Sequence, residues 1–127
     1  MKIDEFKNMV GIEDKNTIAI DFDGVIHKNS KGFYDGTLYG ELIDGVEGAL
    51  KQLSNDYTLI VYTCKANPER PLIDGKTGVE LIWEWLDKYN LNQYIEDVTY
   101  TKPNAKYYID DKAIKFVDWN QTIKEVV

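Results

Sequence analysis

Cysteine, histidine and proline are scarce in this chain: one Cys, one His and three Pro among 127 residues. The lone Cys64 excludes an intrachain disulfide framework, and the lone His27 excludes a metal cluster built from imidazoles. No Pro- or Ser-rich stretch divides the sequence and no segment repeats, so a single domain over 1–127 is expected. No run approaches the roughly 20 consecutive apolar residues of a membrane span. Met1 to Val10 alternates polar with apolar residues and has no signal-peptide core, which points to a reducing, cytoplasmic home and no membrane partner. Basic charge is also in deficit. Fifteen Lys and Arg stand against 22 Asp and Glu, a net of −7, and that excess repels a nucleic-acid backbone.

What the chain has is the composition of a soluble globular domain, 43% hydrophobic and 29% charged. A core of this size can bury roughly two-thirds of the surface that the unfolded chain exposes. Ile3, Phe6 and Val10 suit a short amphipathic helix, and Thr17 to Phe22 is a compact apolar run that reads as a first core strand. Gly24 to Gly40 lacks helical period and is rich in turn formers, as in a surface flap. Asp44 is placed to cap a helix carrying Val46, Ala49, Leu50 and Leu53 on one face. Tyr57 to Tyr62 has the near-continuous apolar character of a strand buried on both faces. Val79, Ile82, Leu86 and Tyr89 mark a further helix ending near Asn90. Val98 to Tyr100 and Lys106 to Ile109 read as short strands, with a fifth extended piece around Ile114 to Val117. This alternation predicts an α/β fold: a doubly wound, mainly parallel sheet of four to five strands with helices on both faces, whose ligands bind at the carboxyl edge.

Polar residues gather where those strands end. Asp21 and Asp23 follow the first strand, and residues two apart on an extended chain project to one side. Thr63 and Cys64 follow the second, while Asp110 and Asp111 follow the fourth. Lys102, in Thr101-Lys102-Pro103, supplies a cation near that edge. Several carboxylates in one place repel each other, and a hard divalent cation with oxygen ligands relieves the repulsion. Mg²⁺ fits, because it combines one or two carboxylates with phosphate oxygens and retained waters, which implies phosphoryl transfer.

Asp21-Phe22-Asp23-Gly24-Val25, Thr63, Lys102 and Asp110-Asp111 occur in the order of the four motifs of the haloacid dehalogenase-like hydrolase superfamily. The chain resembles a small, capless member from about Thr17 to Phe116. The resemblance implies a Rossmann-like core and a phosphoric monoester hydrolase with Asp21 as nucleophile and Asp23 as general acid/base. It implies that Thr63 and Lys102 hold the phosphoryl group, with Cys64 on the same substrate-binding segment. Mg²⁺ would be bound by Asp21, the Asp23 backbone carbonyl and Asp110, with Asp111 a further ligand or an orienter of Lys102. Lys102 precedes Asp110 by eight residues, too few for a helical crossover. Lys106, the other candidate for the phosphate, would lie roughly 13 Å down the strand from Asp110.

Other residues have plainer explanations. Cys64 has no Cys-His signature and reads as a buried thiol without catalysis, and His27 as a solvated loop residue. Gly75-Lys76-Thr77 lacks the spacing of a phosphate loop and reads as helix initiation. Trp83 and Trp85 read as packing; if exposed, they would mark a subunit interface and a homo-oligomer. The expected partner is a small-molecule phosphate ester. A nucleic-acid end phosphatase would need a local basic rim from Lys28, Lys31, Lys65 and Arg70. A phospho-aspartate receiver module would use similar residues in a different order, with adjacent acids after its first strand.

Overall fold

The computed structural model describes residues 16–30, 37–113 and 115–127. The expected N-terminal helix therefore lies outside the described residues, as do the middle of the flap and Ile114. Four parallel strands form one sheet in the order β3-β2-β1-β4, with β1 Thr17–Asp21, β2 Thr58–Tyr62, β3 Asp97–Thr99 and β4 Tyr107–Ile109. Helix α1, Val46–Leu53, connects β1 to β2, and α2, Gly78–Lys88, connects β2 to β3. The expected fifth piece has no strand at Lys115 to Val117.

In parallel register, Ile18 and Ile20 lie beside Leu59 and Val61, and Val61 beside Val98. These side chains share one face and form the core with Val46 and Leu50 of α1 and with Ile82, Trp85 and Leu86 of α2. Both helices thus lie on one side, as two right-handed crossovers running in the same direction require. Instead of burial on both faces, β2 shows alternation: Leu59 and Val61 are buried, Ile60 and Tyr62 half-buried, and Thr58 exposed.

The connection from β3 to β4 explains why the opposite face differs from expectation. It crosses from one sheet edge to the other, roughly 14 Å, and residues 100–106 extended reach roughly 23 Å. The short strands make a helix unnecessary. Tyr108, in register with Ala19, donates its hydroxyl to the Pro103 carbonyl at 2.6 Å. The connection therefore passes over the face away from α1 and α2. Among the described residues no helix is packed there: α3, Trp119–Val126, is capped by Asp118 and has no buried residue. The expectation of helices on both faces is not met by the described part.

Local details follow sequence chemistry with one exception. Thr77 caps α2 through a reciprocal pair with Glu80, the arrangement of a capping box. At α1 the cap is Gly45 in a left-handed conformation, φ 87°, and not Asp44, with no side-chain cap bond. Among the described residues no helix is long and apolar enough to cross a membrane.

Candidate active site at the carboxyl edge

Register aligns the ends of all four strands. Asp21 is opposite Tyr62, Tyr62 opposite Thr99, and Ile109 opposite Ile20, so Asp110 follows directly beside Asp21. One carboxylate oxygen from each of Asp21, Asp110 and Asp111 lies within 4.8 Å of the others. Asp21 is half-buried, whereas Asp110 and Asp111 are exposed. Burial pushes the Asp21 carboxyl up to about 6; the Phe22 N–H donated to its Oδ1 at 2.8 Å opposes this, and the charges of Asp110, Asp111 and Asp23 add to it. Gly24 turns the chain here with φ +84°, and a Cβ at that position would collide with the Asp111 carboxylate. Glycine thus serves both the left-handed turn and the close approach.

Asp23 stands apart from this trio. Its Oδ1 accepts Lys65 Nζ at 2.9 Å and lies 2.9 Å from His27 Nδ1. Burial acts to raise the Asp23 carboxyl, but the hydrogen bonds from His27 and Lys65 and the lysine charge outweigh it and hold it below the usual carboxylate range. Lys65 is only 5% exposed and His27 is fully buried. The expected solvated histidine is instead a core residue, stacked on Phe22 at 5.2 Å and edge-on to Trp85 at 5.4 Å. Its Nε2 accepts the Gly40 N–H at 2.9 Å. An accepting Nε2 leaves the hydrogen of a neutral ring on Nδ1, donating to Asp23.

The flap base is held by the same residues. Lys28 N–H donates to the Glu41 carbonyl and Ile43 N–H to that of Ile26. Trp85 Nε1 donates to the Gly40 carbonyl at 3.0 Å. A Cβ on Gly40 would collide with the Lys28 carbonyl and crowd His27. Trp85 is buried and Trp83 half-buried, so their packing reading holds.

Thr63 is buried beside this network and caps the short 3₁₀ turn Cys64–Ala66, its hydroxyl accepting the Lys65 N–H at 3.3 Å. Cys64 is exposed, which corrects the expectation of a buried thiol: the turn directs it outward while Lys65 and Ala66 face the core. Lys102 stands over Tyr108, Nζ 4.5 Å from the ring centroid. It lines a cavity of about 490 Å³ with Tyr62, Lys106, Lys115 and Asp110. Among the described residues no ion pair joins Lys102 to the acidic trio; Lys102 and Lys106, just before β4, both line a cavity that Asp110 also lines.

Two residues of the site escaped the sequence reading, His27 and Lys65. Lys65 had a usable signal, since it lies two residues past Thr63 at the same carboxyl edge. His27 had none, because its burial depends on Trp85, Phe22 and Gly40 closing around it. Burial also removes Lys65 from any basic rim, and Lys31 lies outside the described residues. Comparisons of the chain with known protein families, with curated proteins and with solved structures found no match in any of the three.

Proposed function

We propose that this chain is a magnesium-dependent phosphatase that hydrolyses a small phosphomonoester through an aspartyl-phosphate on Asp21, on a capless haloacid dehalogenase-like core. The observation that carries this reading is the convergence of Asp21, Asp110 and Asp111 at one sheet edge beside a separately held Asp23 carboxylate. The donor set fits Mg²⁺, being all hard oxygen, and the upward push on Asp21 by neighbouring acids is the repulsion that a divalent cation would relieve. Asp21, Asp110 and Asp111 would hold it. Bound there, it supplies positive charge that allows an anionic carboxylate and an anionic phosphate to meet.

The chain's own residues account for the remaining steps. Asp21 attacks phosphorus and the bond to the leaving oxygen breaks; water then attacks the same phosphorus, freeing phosphate and restoring Asp21. Asp23, held ionised, accepts the proton of that water. That proton is the one Asp23 then gives to the leaving oxygen of the next turnover, while a leaving group that departs as a stable anion takes its proton from solvent and makes the smaller demand on Asp23. The Thr63 hydroxyl accepts from Lys65 N–H and keeps its own hydrogen to donate to a phosphoryl oxygen. Lys102 is the cation at the cavity shared with Asp110.

Release of nitrophenol from 4-nitrophenyl phosphate, with Mg²⁺ and with chelator, tests the proposal on the native chain and on Asp21→Asn and Asp23→Asn. Metal-dependent release that both substitutions remove supports it. Release equal in all three chains would show that the activity does not belong to this site.

A further inference from the structure

Asp23 is gripped on one side only. Both of its side-chain partners, Lys65 Nζ and His27 Nδ1, meet the same oxygen, Oδ1, each at 2.9 Å. Oδ2 has no hydrogen bond among the described residues. Two donors approaching one oxygen from different elements fix the plane of the carboxylate, because rotating it would break both bonds in a largely dry setting. His27 is itself fixed: Phe22 stacks on its ring, Trp85 packs edge-on, and Gly40 donates to its far nitrogen. Gly40 is held in turn by the Trp85 indole N–H.

We propose that Lys65 and His27 are positioning residues that clamp Asp23 by Oδ1 and so leave Oδ2 for the proton transfers of the reaction. This rests on the phosphatase reading. An alternative in which the pair only fills the core would need neither the charged lysine end nor a particular ring nitrogen. A buried ammonium is costly unless paired, so its presence at 5% exposure marks a constraint beyond filling space. The clamp also ties the catalytic edge to the flap, since the ring that donates to Asp23 accepts from Gly40.

Two substitutions at His27 separate positioning from packing. Asn carries an amide nitrogen near the place of Nδ1, so His27→Asn keeps a donor to Asp23 and loses the bond from Gly40. Gln carries its amide group near the place of Nε2, so His27→Gln keeps the Gly40 bond and loses the donor to Asp23. Both remove the same stacked ring and are expected to lower Tm equally. With 4-nitrophenyl phosphate and Mg²⁺, kcat of His27→Gln is expected at least ~10-fold below that of His27→Asn, with KM within ~3-fold. Equal kcat in the two variants, or a change confined to KM, overturns the clamp. If neither variant folds, Lys65→Met replaces them, with an expected ~10-fold or greater fall in kcat; unchanged kcat overturns the clamp in the same way. If the native chain has no activity, the phosphatase reading is what fails. The clamp is then read from imidazole ¹⁵N resonances: a proton on Nδ1 that responds to Asp23→Asn supports it, and a proton on Nε2 contradicts it.

Discussion

The two halves of the carboxyl edge are built on different principles. On the β1–β2 side, Asp23, Lys65, His27 and Thr63 form a polar network closed by Phe22 and Trp85, in which every buried side-chain polar atom has a partner among the described residues. On the β4 side, Asp110 and Asp111 are exposed, and Tyr107, Tyr108 and Ile109 keep 50%, 43% and 39% of their surface in solvent. In the first half the charge of the Asp23 carboxylate is met by Lys65 Nζ at 2.9 Å. The second carries like charges beside Asp21, and among the described residues no ion pair neutralises Asp110 or Asp111, although Lys102 lines a cavity with Asp110. A carboxylate held by two donors next to an unneutralised anionic cluster is the division that the proposed site, with a cation and an anionic substrate, would call for.

The largest expected effect is on turnover. Asp21→Asn should lower metal-dependent phosphate release by ~10³-fold or more, as loss of a nucleophile does, and an active Asp21→Asn chain would place the chemistry outside this edge. Stability should divide the halves next. Phe22 is fully buried, so Phe22→Ala should cost about 3–5 kcal/mol in urea unfolding, whereas Tyr108→Ala on the open half should cost about 1 kcal/mol or less. Similar costs at both positions would erase the contrast. Third, Mg²⁺ added to chelator-treated protein at 100 times its Kd should stabilise it by about 2.7 kcal/mol, and Asp110→Asn should remove most of that gain.

A smaller effect is expected from pH in metal-free protein. Asp21 is held at about 6 against an ordinary 3.8, so the unfolded chain gives up this proton first and the folded state loses stability as pH rises from about 4 to 6. Asp21→Asn should therefore match the native Tm near pH 3.5 and exceed it by roughly 2–5 °C at pH 8. Asp23 has the opposite sign: its carboxyl is held low, so its contribution is present above the ordinary carboxylate range and fades as pH falls through and below it. Asp23→Asn should accordingly lower Tm at pH 7 more than at pH 3. The smallest effect belongs to Lys76, whose exposed pair with Glu84 is screened by water; Lys76→Met should leave the unfolding midpoint within error.

Much of this was legible in the chain, for identifiable reasons. Thr17 to Phe22 and Tyr57 to Tyr62 announced β1 and β2 because their apolar residues must be buried, and a strand's end fixes where Asp21 and Thr63 emerge. Asp110 could be placed at the same edge once β4 was parallel. The one-sided packing of the sheet was not legible, because it follows from β4 crossing to the far edge after a connection too short for a helix. Nor was the environment of Asp23. Sequence distance separates Asp23 from Lys65 and His27 from Trp85, and only the alignment of β1 with β2 and the docking of α2 bring them together. Asp44 was misread as a cap because its residue type suits one, while the chain uses the left-handed freedom of Gly45.

If phosphoryl transfer passes through Asp21, as proposed, the phosphoryl group can be trapped on that carboxylate. Native protein mixed with 4-nitrophenyl phosphate and Mg²⁺, quenched in acid and digested, is predicted to yield the Asp21 peptide heavier by one phosphoryl group, labile at alkaline pH and lacking in Asp21→Asn. Hydrolysis without any such adduct, or an adduct that persists in Asp21→Asn, would mean that Asp21 does not carry the phosphoryl group.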